Sequence, residues 1–330
     1  MAIDFHAHYI APKLMEMLEA RKNDPRITHN SDRNSLYHMP VSTLPYSSLY
    51  YNMVERIEYL DHVGMEKQII SLPGLLGIDY LPIEQSLPMI KASNDDLAIQ
   101  CDRYPGRIYG LAALPLADQG EMLNEFKRCV ENYGMLGAIL PNNAFLSLEY
   151  ANEYKALYEY ANEKSLHFFI HPGWRADEFP VLDTRPKNDP DELLIARGAL
   201  GVQHSVSLAL ITLLYTNFLD QFPNTTTHIA NLGGTFPMVV ERMHHTVEAR
   251  FPDAKLSPSR KDNLFFDTSS LGSRAIELAV EIYGADKIVV GTDTPIFSAE
   301  TGLKVINETR LSADEKQMIL RENALTLLSQ

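Results

Sequence analysis

Two histidines one residue apart, in Asp4-Phe5-His6-Ala7-His8, are the first group in the chain that could do chemistry. Neutral imidazole nitrogen is a common ligand for zinc and other transition ions, and two imidazoles at one strand end can grip one ion. Ile3 to His8 reads as a short strand. Its alternation turns Asp4, His6 and His8 to one face and Ile3, Phe5 and Ala7 to the other. A His-x-His pair alone is as readily structural; a complete site needs further imidazole or carboxylate at other strand ends. The chain offers His171, in His171-Pro172, and Asp293, in Gly291-Thr-Asp-Thr-Pro295, each directly after an apolar run. Three imidazoles and a carboxylate make a mononuclear divalent-metal site with a position open for water or a substrate oxygen, the geometry of catalysis.

For these residues to meet, the elements that carry them must end on one rim. Apolar runs at 3–8, 67–72, 108–114, 136–140, 166–170, 226–230, 264–267 and 287–291 read as strands. Between them lie segments with helical spacing: Asn52–Val63, Pro88–Arg103, Gly120–Tyr133, 148–164, Asp191–Gln221, Thr235–Arg250 and Ser273–Tyr283. Such alternation predicts an α/β protein with a parallel sheet, and eight strands predict a closed, distorted (β/α)8 TIM barrel over residues 1–330 as a single domain. A doubly wound open sheet is the runner-up, but the Gly-rich fingerprint expected after its first strand is missing. Residues 9–51, with Pro12, Pro25, Pro40 and Pro45, read as an irregular insertion or lid over the first strand end, and Gly173–Pro190 as a second loop or lid. In a barrel the active site lies where strands end. Reading those ends adds Ser71, Asn142, Asn143, Asn231 and Thr268 to the four candidate ligands.

Composition narrows the classes. Hydrophobic residues make up 45% and charged residues 22%, which is ordinary for a globular chain with a real core. A net charge of -14 argues against nucleic acid, because neutralising phosphate needs a basic face. No uninterrupted apolar run is long enough for a bilayer, and Ser205–Leu219, the richest stretch, reads as a buried helix. No basic-then-apolar leader is visible at the N-terminus. Cys101 and Cys129 form no disulfide framework and suit a reducing cytoplasm.

Asp4-Phe-His-Ala-His8, His171-Pro172, the Gly-Gly-Thr-Phe-Pro-x-x-x-x-Arg run of residues 233–242 and Gly291-Thr-Asp-Thr-Pro295 together resemble the amidohydrolase superfamily. The nearest branch holds the aminocarboxymuconate-semialdehyde, γ-resorcylate and methylsalicylate decarboxylases. Glu55-Arg56-Ile57, Asn94-Asp-Asp-Leu-Ala98 and Phe265-Phe-Asp-Thr268 extend the likeness over nearly the whole chain. The resemblance implies one divalent ion, zinc or else manganese, on His6, His8, His171 and Asp293. It also implies that Arg56 and Arg242 meet the substrate carboxylate, and that Arg242 does so across a subunit interface, hence a homodimer or higher homo-oligomer. A guanidinium fork suits a carboxylate through two parallel charge-assisted bonds; for Arg56, between Glu55 and Glu58, a surface ion pair is the competing reading. Trp174 is a wall for a flat ring or a rim-packing residue, and His244-His245 read as surface or interface.

One departure matters. Where the family has Ala-His-x-Gly-Gly, this chain has Ala230-Asn231-Leu232-Gly233-Gly234. Asparagine hydrogen-bonds but carries no proton near neutrality. His228 is read as turned outward, between barrel and helices, and His204 as preceding the long helix, able to swing over the site or else merely capping a helix. The first functional reading is a metal-dependent, non-oxidative decarboxylase of a small aromatic or muconate-type carboxylic acid, with Asp293 shuttling a proton to carbon. The second is a hydrolase of a lactone, amide or C–C bond in a carbonyl compound, with Asp293 as base and Asn231 polarising the carbonyl. A third is a non-catalytic metal-binding barrel that has lost its histidine.

Overall fold

The structure is a computed structural model that describes residues 1–29, 35–40, 42–180, 188–254, 256 and 261–329. Of the Gly173–Pro190 loop expected from the sequence, residues 181–187 lie outside the described residues. β1 (Ala2–His8) is followed by α1 (Pro12–Glu19) and by β2 (Arg26–His29), β3 (Ser35–His38) and β4 (Thr43–Tyr46). Then come α2 (Met53–Val63), β5 (Met65–Ser71), α3 (Ile83–Arg103), β6 (Ile108–Ala112), α4 (Gln119–Tyr133) and β7 (Gly137–Pro141). α5 (Leu148–Glu153) and α6 (Lys155–Lys164) lead to β8 (His167–His171), α7 (Asp191–Tyr215), β9 (Thr226–Ile229), α8 (Phe236–Arg250) and β10 (Leu264–Asp267). The chain finishes with α9 (Ser273–Tyr283), β11 (Ile288–Val289), α10 (Ala299–Asn307), α11 (Ala313–Gln317) and α12 (Asn323–Leu328).

Local signals explain most of these boundaries. Asn52 caps α2 by accepting from Glu55 N, and Gly64, at φ 75°, ends it in the left-handed conformation that glycine adopts without a Cβ clash. Asp118 and Gly134 bracket α4 in the same way.

The barrel strands pair in parallel in the order β1-β5-β6-β7-β8-β9-β10-β11. β1 then meets the segment after β11: Phe5 N donates to Val290 O, Asp293 N to His6 O and His8 N to Thr294 O, each at 2.8 Å. That closure is the expected (β/α)8 barrel. Ile3, Phe5, Ile69, Leu111, Ile139, Phe169, Ala230, Phe265 and Val289 fill its interior with Ala324 and Leu327 of α12. The alternate strand residues, such as Ile70, Ala112, Ala138, Phe168, Ile229 and Phe266, face the outer helices.

The strict alternation expected of β1 does not hold. Asp4 pairs with Gln68 and Ala7 with Ile70, so three steps on β1 oppose two on β5. This irregularity is the kind of bulge that re-aims side chains beside active sites. Phe5 points into the barrel interior, yet His6 also turns inward, with its ring 4.6 Å from that of Phe169.

Residues 9–51 are not irregular throughout: α1 and the antiparallel β2-β3-β4 sheet lie there. The buried Tyr37 hydroxyl of β3 donates to Leu76 O in the segment after β5. The predicted helix 148–164 is two helices that break at Tyr154, and α3 begins at Ile83, with Pro88 inside it.

α7 is longer at its start than the apolar stretch Ser205–Leu219 and is not wholly buried. By length and composition it is long and apolar enough to cross a membrane, the one such helix among the described residues. Its second half packs on the barrel through Val206, Ala209, Leu210 and Leu213, while Leu193, Ile195 and Leu200 in the first half are exposed. Ser205 fixes it to the β7 end, accepting from Asn142 Nδ2 at 2.7 Å and donating to Asn143 Oδ1 at 2.9 Å.

Candidate metal centre and active site

The ends of β1 and β8 and the turn after β11 bring His6, His8, His171 and Asp293 together, with one donor atom from each within 4.8 Å of the others. Asp293 sits at φ 57°, a left-handed conformation that aspartate tolerates better than most residues, and its backbone N–H is held by His6 O. His6 Nε2 lies 3.1 Å from His8 Nε2. Asp293 Oδ1 lies 2.9 Å from His8 Nε2 and 3.5 Å from His6 Nε2. Ligands about 2 Å from a tetrahedral ion stand about 3.3 Å apart, so the spacing suits one cation.

Tautomers point the same way. His6 Nδ1 donates to Asp267 Oδ2 at 2.8 Å and His171 Nδ1 to Pro172 O at 2.8 Å, which turns each Nε2 lone pair inward. Asp293 Oδ1 is buried without a hydrogen-bond partner. Lone pairs converging on one buried point repel unless a cation lies among them. The residues therefore fit a divalent ion, whose charge would balance the carboxylates of Asp267 and Asp293.

Burial pushes the His8 and His171 imidazoles well below the usual histidine range, and the neighbouring imidazoles push them further. Burial also opposes protonation of His6, but Asp267 and Asp293 outweigh it and raise that group. Burial raises the Asp293 carboxyl against the pull of His6 and His171. Asp293 keeps 15% of its side chain exposed, whereas His6 and His8 are sealed. It is the member of the cluster that a substrate or solvent proton can reach.

Several expected residues lie elsewhere. Arg56 is neither on the surface nor free to meet a carboxylate: it is fully buried, and burial lowers its guanidinium to about 10. Its Nε donates to Leu49 O at 3.0 Å, Nη1 to Gln68 Oε1 at 2.8 Å, and Nη2 to His8 O and Leu49 O. It clamps the backbone of a candidate ligand to the end of the 9–51 insertion. His204 does not precede α7; it lies inside that helix and is exposed. His228 does not face the outer helices; it lies inside the barrel, stacked on Phe169 at 4.1 Å. Alternation counted back from Asn231 would turn His228 outward, but Asn231, at φ 59°, has already left the strand, which ends at Ile229.

Asn231 does lie beside the cluster. Its N–H donates to Asp267 Oδ1 and Ser269 Oγ, both at 3.0 Å, and its Oδ1 accepts from Ser269 Oγ at 2.9 Å. Trp174 is half-buried and edge-on to Tyr80 at 5.8 Å. Arg242 is exposed on α8, as is His245 beside it, while His244 bonds Tyr215 Oη at 2.7 Å.

Two acids went unassigned in the sequence. Asp267 orients His6, and close packing against it requires Gly291, where a Cβ would lie 2.6 Å from the Asp267 carboxyl carbon. Asp4 accepts from Thr292 N at 3.0 Å, Thr292 Oγ1 at 2.6 Å and Gln68 Nε2 at 2.8 Å, and so ties β1 to the turn that carries Asp293. The available signals were a strand-end acid for Asp267 and, for Asp4, a place on the same expected strand face as His6 and His8.

A closed eight-stranded α/β barrel with a three-histidine, one-aspartate cluster at the strand ends defines the class. The amidohydrolase family profile matches residues 71–329, and the chain belongs to that family. Its sequence is 26% identical over 289 residues to the γ-resorcylate decarboxylase of Rhizobium radiobacter, covering 82% of this chain and 85% of that one. It is 25% identical over 282 residues to the 2-amino-3-carboxymuconate-6-semialdehyde decarboxylase of Dictyostelium discoideum, covering 83% and 75%. Among solved structures, the fold matches 5-carboxyvanillate decarboxylase from Novosphingobium aromaticivorans, complexed with manganese and 4-hydroxy-3-methoxy-5-nitrobenzoic acid. That match has a TM-score of 0.73 at 17% identity and covers 100% of this chain and 96% of the other.

Proposed function

We propose that the chain is a metal-dependent, non-oxidative decarboxylase of a small aromatic or muconate-type carboxylic acid. The observation that carries this reading is the convergence of three imidazoles and Asp293 on one buried point, in a chain whose curated relatives are decarboxylases. His6, His8, His171 and Asp293 would hold one divalent ion, zinc or manganese. Such an ion polarises a substrate oxygen and draws electron density from the ring.

The residues do the rest. Asp293, partly exposed at the mouth of the site, is the group placed to carry a proton to the ring carbon. The bond from ring carbon to carboxylate breaks, its electron pair stays on the carbon, and that carbon takes the proton from Asp293 as carbon dioxide leaves. Solvent then returns a proton to Asp293. Asn231, with its carbonyl engaged by Ser269, would offer amide N–H to the substrate rather than a proton. Trp174 would wall the ring. Since Arg56 is committed to protein carbonyls, the carboxylate grip falls to other groups, with Arg242 of a second copy as the candidate in a homo-oligomer.

We place the protein in the cytoplasm, consistent with its two free cysteines. The test is carbon dioxide release from a panel of hydroxybenzoates and carboxymuconate-type acids, using protein loaded with zinc or manganese. Release from at least one member, lost in Asp293→Asn, is expected. Hydrolysis of a lactone or amide panel without carbon dioxide would instead favour a hydrolase. No turnover of either panel by metal-loaded protein would favour a binding protein.

A further inference from the structure

The cluster at the barrel mouth leaves a second group of buried imidazoles without a role. His167 and His228 sit inside the barrel, below the four candidate ligands, with 5% and 0% of their surface exposed. Thr226 Oγ1 lies 2.8 Å from His167 Nδ1, and His167 Nε2 lies 2.6 Å from His228 Nδ1. His228 Nε2 then faces Asp267 Oδ2 at 3.8 Å, the same oxygen that accepts from His6 Nδ1 at 2.8 Å. The aromatic ring of Phe169 stacks on His228 and meets His6 edge-on at 4.6 Å, so it braces both imidazoles.

The donors and acceptors of this row order it. A contact of 2.6 Å between two imidazole nitrogens needs one N–H and one lone pair. If His228 Nδ1 donated, its Nε2 would turn a lone pair toward the Asp267 carboxylate 3.8 Å away, like charge facing like. The opposite direction turns that repulsion into attraction between an N–H and the carboxylate, at a separation beyond hydrogen-bond length. Thr226 Oγ1 donates to His167 Nδ1, His167 Nε2 donates to His228 Nδ1, and the N–H of His228 Nε2 points at Asp267.

We propose that His228 is a positioning residue for the metal centre: its N–H toward Asp267, directed by His167 and Thr226, holds the carboxylate that orients His6. The proposal rests on the metal-site reading above. It assigns a function to two histidines that neither the candidate ligand set nor the substrate pocket uses. Groups that orient a ligating histidine typically alter metal affinity 10–100-fold when removed.

The experiment titrates metal-depleted protein with Zn2+ alone and with Mn2+ alone against a competing chelator, and records thermal unfolding of the metal-free protein. His228→Phe keeps a ring on Phe169 but removes the N–H; it should weaken metal binding about 10-fold or more while the metal-free protein unfolds as the wild type does. His228→Gln, whose amide nitrogen reaches the Nε2 position, should recover most of that loss. Equal affinity in His228→Phe and wild type, or a loss in His228→Gln as large as in His228→Phe, overturns the proposal. If the Phe variant does not fold, Thr226→Val carries the test: removing the hydroxyl that directs the row should weaken binding several-fold, and unchanged affinity counts against it. Wild-type protein that binds neither ion would overturn the metal-site reading itself, an outcome distinct from all of these.

Discussion

At the scale of single residues, the proposed decarboxylase would divide proton carriage from polarity. Asp293 would carry the proton, whereas Asn231 can only donate or accept a hydrogen bond. Positioned acid–base groups are typically worth about 10²–10⁴ in rate, so the true carrier cannot be removed quietly. Asn231→Ala should slow turnover less than about 10²-fold and leave metal content unchanged, while Asp293→Asn should abolish turnover even where some metal remains. Rates and elemental analysis of the two variants on the best substrate check this. An active Asp293→Asn beside a dead His204→Ala would move the proton carrier to the exposed histidine of α7.

At the scale of elements, two charged side chains beside β5, Arg56 and Asp79, bear on stability. Arg56 of α2 joins β1, β5 and the residues before α2 through His8 O, Gln68 Oε1 and Leu49 O. Arg56→Met keeps the bulk and strands those acceptors, so it should cost on the order of 3 kcal/mol in urea unfolding. A loss under about 1 kcal/mol would show that water replaces the guanidinium.

In the segment after β5, burial lifts the Asp79 carboxyl from 3.8 to about 7, with Tyr80 N–H as a hydrogen-bond donor at 3.2 Å. A carboxyl raised in the folded state keeps its proton better there than in the unfolded chain. Its contribution is therefore complete below 3.8 and lost as pH rises through about 7. Asp79→Asn should gain on wild type progressively from pH 5 to pH 8, reaching on the order of 2 kcal/mol. Urea midpoints that move in parallel across that range would refute it.

At the scale of the whole molecule, the candidate centre joins the two ends of the chain. His6 and His8 lie near the N-terminus and Asp293 near the C-terminus, and the clasp from Asp4 to Thr292 spans 288 residues. The ligand set can therefore assemble only when the barrel closes. Outside the barrel, α7 and α8 meet at Ser207 and Thr235 and leave Leu200, Leu208, Ile211, Met238 and Val239 exposed, with Met238 at 81%. Exposed apolar residues gathered on adjoining elements mark association surfaces, and Arg242 follows Met238 by one helical turn. Light scattering at micromolar concentration should show a dimer or higher oligomer that Leu208→Glu with Met238→Glu dissociates. A wild-type monomer with undiminished activity would remove Arg242 from the site.

The sequence by itself determined the alternation of strands and helices, the eight-stranded barrel and the four candidate ligands, because these depend on local signals. Apolar period, Asn52 and Asp118 caps, Gly64 and Gly134 stops, and polar residues at strand ends are all readable a few residues at a time. Only the tertiary structure decided which way particular side chains face. The irregularity in β1 puts both Phe5 and His6 inside, against simple alternation. The left-handed turn at Asn231 breaks the parity count that had put His228 outside. The small sheet within residues 9–51 was hidden among prolines, and Arg56 looked exposed between two glutamates. The role of Asp267 required the register of β10 against β9 and β11. Each depends on contacts between residues far apart in the chain, which a period of two or of 3.6 does not encode.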